Sequence, residues 1–128
     1  MAGGGRRVAQ VHERISVDIS FEQLPSGVTV IRLVGRMDIM GAMKIDVQFA
    51  AVAAANRAVV VDLAGVEFLA SMGLRTLIMG AKSMHSKAGR MVLCRPIPMV
   101  EEVLVTSGTS TLIPFAHDMA EAEAKALG

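Results

Sequence analysis

The run Ala58-Val59-Val60-Val61-Asp62-Leu63 constrains the fold more than any other part of the chain. It is rich in valine and has no polar residue before Asp62, the composition of an interior strand buried on both faces. Such a strand needs neighbours in a sheet and covering layers above and below it. The sequence then passes through Gly65-Val66-Glu67 into Phe68-Leu69-Ala70-Ser71-Met72-Gly73-Leu74, where helical spacing begins. The handover from strand to helix is therefore made through a lone serine, Ser71, and not through a glycine-rich loop.

The segments on either side supply the rest of the sheet and its cover. From Ile15 to Phe21 the chain alternates strictly, Pro25-Ser26-Gly27 marks a turn, and Val28-Thr29-Val30 begins a second alternating run, so the pair is expected to form a β-hairpin. Between Met40 and Arg57, Ile45, Phe49, Val52 and Ala53 recur at the spacing of a helix. After Ser71, the residues Leu74, Leu77, Ile78 and Ala81 fall at i, i+3, i+4 and i+7, and Gly89 supplies a stop. A short strand at Arg90–Pro96 and a helix from Pro98 to Val105 follow, with Gly108 beyond the helix end. Thr111–Ala116 is expected as a last strand, and Asp118 with Glu121 opens a terminal helix as a capping box.

The element order is ββαβαβαβα, in which strands and helices alternate after the hairpin with crossovers long enough for parallel neighbours. The expected fold is α/β, a single domain with a small mixed sheet of about five strands covered by about four α-helices. A chain of 128 residues makes one domain of ordinary size. The glycine- and arginine-containing start, residues 1–12, is expected as a disordered leader to a domain spanning residues 13–128, with no hydrophobic stretch of signal-peptide length behind it.

Composition removes several function classes. The net charge is +1 with acids and bases mixed along the chain, so no broad field points to nucleic acid or to an anionic membrane. Four phenylalanines, with no tryptophan or tyrosine, offer no stacking platform for single strands. Every long apolar stretch is interrupted by charges or turn residues, which argues against membrane insertion. The one cysteine, Cys94, has no internal partner for a disulfide and fits a small buried side chain in a protein of the reducing cytoplasm.

Familiar catalytic patterns are missing as well. Neither a phosphate-binding Walker loop nor a dinucleotide fingerprint occurs. His12, His85 and His117 lie far apart, with no cysteine or carboxylate pair at ligand spacing, so no metal site and no cofactor are expected. A nucleophile elbow needs glycine two residues before its serine, and position 69 is leucine. The chain is expected to bind rather than to catalyse.

Ser71 has a plain role and a sharper one. As an N-cap its hydroxyl would accept from the amide of Gly73 or Leu74, worth about 0.5–2 kcal/mol. At the carboxyl end of a central strand it also stands where α/β sheets place their sites. A phosphate there would add about −1.5 to −2 charges beside the positive end of a helix, leaving the fold intact and changing what docks on it. Met72, Arg75 and Met79 share a helical stripe apart from the apolar one, so the two methionines either pack beneath the neighbouring helix or, with Arg75, make an adaptable contact face for a partner.

The stretch from Val59 through Pro96 resembles the central signature of STAS domains, the family of sulfate transporter and anti-sigma factor antagonist domains. Val28–Asp38 is similar to that family's second strand, ending in a glycine-x-x-aspartate turn from Gly35 to Asp38, and Thr111–Leu127 to its last strand and helix. The resemblance implies that Ser71, two residues before Gly73, is a phosphorylation site, and that Ala70, Ser71, Met72, Gly73, Arg75, Met79 and Asp38 form the partner surface. It departs from the family pattern at Ala70, where an acidic residue is common, and at Met72, where a small one is.

The function implied by the resemblance is that of an anti-sigma factor antagonist. Its partner would be a serine kinase of the histidine-kinase-like ATPase type that is also the anti-sigma factor, with a serine phosphatase to reset it. Binding of the unphosphorylated form would free a sigma factor. The alternative is a non-switching STAS adaptor of a transporter ATPase, or a stressosome-like scaffold subunit, in which Ser71 is only a cap.

Overall fold

The computed structural model describes residues 17–128; the leader and Ile15 lie outside the described residues. Strand β1 (Val17–Gln23) and strand β2 (Thr29–Met37) form the expected antiparallel hairpin. The chain continues through helix α1 (Ile39–Ala55), strand β3 (Ala58–Leu69) and helix α2 (Ser71–His85). Strand β4 (Arg90–Cys94), helix α3 (Pro98–Thr106), the single turn of α4 (Thr109–Leu112), strand β5 (Phe115–Ala116) and helix α5 (Met119–Leu127) complete it. The sheet runs in the order β1-β2-β3-β4-β5, and every pairing after the hairpin is parallel.

The valine run does what its composition requires. Val59, Val61 and Leu63 enter a core shared with Ile45 and Phe49 of α1, Leu77 and Met84 of α2, and Val100 and Leu104 of α3. Val60 points the other way and joins Val28, Val30, Val92 and Cys94 beneath Ala122 and Ala126 of α5. Alternation along one strand thus feeds two layers, with α1, α2 and α3 on one face of the sheet and α5 on the other.

Several boundaries differ from the sequence reading, each for a local reason. Strand β3 does not stop at Leu63 but continues to Leu69. The Asp62-Leu63-Ala64-Gly65 segment looks like a turn, yet the Asp62 carboxylate accepts from the Ala64 amide at 3.1 Å. Register irregularities opposite Arg32–Val34 and Gly35–Arg36 of β2 each place one extra residue on β3 and let the two strands stay paired as far as Met37 and Leu69. Gly35, with φ +119°, sits at one of these irregularities inside β2 and does not open a turn.

The last strand is only two residues long, because Thr109–Leu112 forms the extra helical turn α4 after Gly108, whose φ is +80°. The described residues therefore hold five helices. At the end of α2 the left-handed residue is Ala88, at φ +62°, and not Gly89. Gly89 is required by space, since a Cβ there would stand 3.0 Å from the Arg57 carbonyl oxygen and 3.1 Å from that of Met84.

The buried stripe of α2 is also displaced from the expected one. Gly73, Thr76, Leu77, Gly80 and Met84 are buried, while Leu74, Ile78 and Ala81 pack only along its margin. Gly80 and Thr76 face inward because α1 lies close, a Cβ on Gly80 meeting the Phe49 ring at 2.6 Å, and Gly73 does so because it lies against Met37 at the end of β2 and Leu69 at the end of β3. Large apolar residues mark a helix face by sequence, whereas close helix packing selects small ones.

The most buried charge is Asp62, 4% exposed. Arg95 donates to it through Nη2 at 2.6 Å, and Arg32 Nε lies 3.5 Å away. Hydrogen bonding to Asp62 and its negative charge raise the Arg95 guanidinium pKa. This interaction accompanies an uncommon backbone, since Arg95 has φ +56°.

Candidate partner-binding site at the start of α2

Helices α1 and α2 follow the adjacent parallel strands β2 and β3, so their N-termini emerge side by side at one end of the sheet. The Ala70 amide donates to the Met37 carbonyl at 3.0 Å across this junction. Gly73 makes the junction tight, because a Cβ there would stand 2.7 Å from the Met37 carbonyl oxygen. One turn further on, the Thr76 hydroxyl lies 3.2 Å from an Asp46 carboxylate oxygen of α1, joining the two helices again.

Asp38 is the N-cap of α1, with Oδ1 accepting from the Gly41 amide at 2.9 Å. Its Oδ2 lies 3.6 Å from Arg36 Nε, and the Arg36 guanidinium stacks 4.4 Å from the centre of the Phe68 ring. This residue therefore has a structural task at the border of the junction, and its carboxylate is committed within the protein.

The expected cap by Ser71 is not formed. Ala70, extended at φ −108° and ψ −179°, is the N-cap of α2 and offers no side-chain bond. Ser71 is the first helical residue, exposed, and its hydroxyl has no hydrogen-bond partner among the described residues. The helix starts one residue earlier than a serine cap would set it, so Ser71 Oγ faces solvent while the first-turn amides lack intrahelical acceptors.

Beyond Ser71, Met72 is 38% and Met79 54% exposed, and Arg75 is exposed between them. Neither methionine is packed beneath a neighbouring helix. On α1, Ile39, Met40 and Met43 are also exposed, at 59%, 69% and 66%. Met43 and Met72 each lie about one turn before the Asp46–Thr76 contact, so the α1 residues extend the apolar surface next to Ser71. The sequence reading missed this part, although Met40 and Met43, set off the helical spacing of Ile45, Phe49, Val52 and Ala53, were its available signal.

Among the described residues no group of three His, Cys, Asp or Glu side chains could hold a metal ion, and no helix is long and apolar enough to cross a membrane. Cys94 is buried, and burial followed by the charge of Asp62 pushes its thiol pKa upward. His117 stands apart from the site, 3.0 Å from Glu101.

A family model for the STAS domain matches residues 19–122, which include both helix starts and all of the hairpin but the first two residues of β1. The chain belongs to the STAS domain family. This STAS domain is 32% identical over 99 residues to BtrV of Bordetella bronchiseptica, which bears the name of an anti-sigma factor antagonist; the match covers 77% of this chain and 85% of BtrV. The crystal structure of an anti-sigma factor antagonist from Mycobacterium paratuberculosis superposes with a TM-score of 0.79 at 24% identity, over 88% of this chain and 95% of that one. The Bacillus cell fate determinant SpoIIAA in its phosphorylated form superposes with a TM-score of 0.65 at 22% identity, over 84% and 98% of the two chains. These two likenesses place the STAS domain's fold beside theirs.

Proposed function

We propose that this STAS domain is an anti-sigma factor antagonist whose docking is switched by phosphorylation of Ser71. The observation that carries the proposal is the Ser71 hydroxyl: exposed, unbonded among the described residues, and set at the first position of α2. A serine with no structural bond is available to a kinase. The name of the relative BtrV and the phosphorylated form of SpoIIAA support the same reading.

In the unphosphorylated state Met72, Arg75 and Met79 present an adaptable apolar face with one positive charge to a cytoplasmic serine kinase of the histidine-kinase-like ATPase type. That kinase doubles as an anti-sigma factor, and holding it frees the sigma factor. Ala70 and Gly73 admit the partner close to the backbone, and Asp38 shapes the border through its cap of α1. The STAS domain acts as the bound protein and substrate, not as the enzyme.

Transfer joins Ser71 Oγ to the γ-phosphorus of ATP as the bond to the β,γ-bridging oxygen breaks; ADP leaves and the hydroxyl proton passes to a base of the kinase. The phosphoserine then lies over the unpaired first-turn amides of α2, where the helix dipole favours it by about 0.3–1 kcal/mol. Arg75, four residues on along the same face, is positioned to pair with the phosphate. The surface loses its free cation and gains negative charge, so the partner is released. A serine phosphatase restores the binding form.

Intact-mass measurement after incubation with the cognate kinase and ATP tests this directly. One added phosphate, absent from Ser71→Ala, together with loss of kinase affinity and an unchanged circular dichroism spectrum, is expected. No phosphate from a kinase shown to bind would assign the domain to non-switching adaptors instead, and phosphate at another residue would remove Ser71 as the acceptor.

A further inference from the structure

Helix α1 is apolar on the side it turns to solvent as well as on the side it buries. Met40, Met43, Val47, Ala50 and Ala54 recur at alternating steps of three and four residues, the spacing of a coiled-coil seam. Ile45, Phe49 and Ala53, which enter the core, lie on the other side of the helix. Met40, Met43 and Val47 are 69%, 66% and 80% exposed, and Ala50, Ala51 and Ala54 are exposed with them. The only charged residues of α1 stand beside this stripe and not on it: Lys44 is held by Asp18 at 3.6 Å, and Asp46 contacts Thr76. A surface helix normally presents charge on its outer face. A contiguous apolar face in its place marks contact with another surface.

The stripe changes size along its length, and that change selects what covers it. Met40 and Met43 fill its first half, Ala50, Ala51 and Ala54 its second, and Val47 stands at the middle. Against a second α1 running the opposite way about a two-fold axis at Val47, Met40 meets Ala54 and Met43 meets Ala51. Each large side chain then enters the space left by a small one, as close packing requires. A parallel pair would set methionine against methionine at one end and alanine against alanine at the other. Complementarity of a patch with itself under a two-fold axis is the condition for an isologous dimer. The 17 residues of α1 span about 25 Å, and one helix width of about 10 Å gives roughly 250 Å² per copy. The adjoining face of α2, with Met72 and Met79 exposed, brings the pair to roughly 1,000 Å², the low end for a specific interface.

We propose that two copies of this chain pair through their α1 stripes, antiparallel about Val47, in a reversible dimer. The pairing removes methionine and valine surface from water and leaves Lys44 and Asp46 at its margins with their bonds inside each copy intact. It also covers Met40 and Met43, so a partner docking beside Ser71 has to displace the second copy. This last consequence alone rests on the reading of Ser71 given above; the pairing itself does not.

Sedimentation equilibrium of the full chain alone, with no partner present, tests the pairing independently of any role of Ser71. A monomer–dimer equilibrium with a Kd below about 1 mM is expected. Val47→Glu should raise that Kd at least about tenfold with an unchanged Tm, because the position is 80% exposed. Val34→Glu, on the sheet face that carries α5, should leave it within about twofold. Orientation is read by oxidation of cysteine variants, the native Cys94 being buried. Val47→Cys should link to itself across the axis, whereas Met40→Cys and Ala54→Cys should link to each other when mixed and not when alone. A monomer up to about 1 mM, an unchanged Kd in folded Val47→Glu, an equal loss in Val34→Glu, or Met40→Cys linking to itself and not to Ala54→Cys would each overturn the proposal.

Discussion

The Ala70 amide donates to the Met37 carbonyl at 3.0 Å, and this bond fixes the start of α2 against the end of β2. Because α1 leaves β2 through Asp38, the next residue, the bond also sets the relative position of the two helix starts. The Ser71 face and the Met40–Met43 face are consequently held in one orientation by backbone, not by mobile side chains.

Gly73 is the residue on which that closeness depends. In Gly73→Ala the added Cβ would meet the Met37 carbonyl oxygen at 2.7 Å and Leu69 Cδ1 at 2.8 Å. The leucine tip can give way, but the carbonyl is held by the strand. Overpacking of this kind costs about 1–3 kcal/mol, to be measured by urea unfolding. An alanine variant as stable as the parent would show that the junction is looser than its distances indicate.

Ser71 gives the opposite expectation, because its hydroxyl holds nothing in place. Ser71→Ala should unfold within about 0.5 kcal/mol of the parent, as exposed substitutions do. Ser71→Asp should gain about 0.3–1 kcal/mol from negative charge at the helix start, and the gain should shrink in high salt. An alanine variant losing 1 kcal/mol or more would restore the serine as a cap.

What was legible in the sequence follows the physical origin of each signal. Burial on both faces leaves an unmistakable mark in Val59–Val61, and the hairpin and the Asp118 cap, accepting from Glu121 at 2.8 Å, rest on equally local chemistry. The continuation of β3 past Asp62 was hidden because an aspartate with a glycine three residues later signals a turn locally, while the pairing with β2 that overrides it is tertiary. The inward face of α2 was misplaced for a related reason: Gly73 and Gly80 are buried by the approach of α1 and β2, which no periodicity of large residues encodes. At the site, the stripe of Met72, Arg75 and Met79 was legible as residues left over from the apolar face, and it is exposed. The cap was not, since whether a serine is N-cap or first helical residue turns on one residue of helix start.

Asp62 tests the other end of the same strand. It accepts two bonds from Arg95, at 2.6 and 3.4 Å, and one from the Ala64 amide. Asp62→Asn keeps the shape but removes the charge from all three, and hydrogen bonds to charged groups contribute about 1.5–3 kcal/mol. The arginines are partly exposed and recover hydration, so the expected loss is nearer about 1–3 kcal/mol, read by urea unfolding. Stability equal to the parent would mean that the ion pair contributes no more than its neutral replacement.

Cys94 should make stability depend on pH on the alkaline side. Burial and then the Asp62 charge raise its thiol pKa above the ordinary 9.0. The folded state therefore keeps its thiol proton at pH values where the unfolded chain has released it. The associated stability is fully present below the unfolded pKa and is lost as pH rises from there through the folded value. Unfolding free energies should fall above about pH 9 more steeply for the parent than for Cys94→Ala; parallel curves would show that the thiol titrates alike in both states.

The stripe beside Ser71 can be separated from the fold by charge reversal at exposed positions. Arg75 and Met79 are exposed, and neither belongs to the buried face formed by Gly73, Thr76, Leu77, Gly80 and Met84. Arg75→Glu/Met79→Lys should consequently stay within about 0.5 kcal/mol of the parent in stability. Its affinity for the partner kinase should fall at least about tenfold, or 1.4 kcal/mol, because one change reverses the available charge and the other places an ammonium group in an apolar contact. Val34→Lys provides the control: Val34 is 51% exposed, and alternation along β2 puts it on the face of Val28 and Val30, which carries α5, and not on the face of α1 and α2. It should bind within about twofold of the parent, a difference below 0.5 kcal/mol. Full affinity in the double variant, or an equal loss in the Val34 control, would move the docking surface away from this stripe.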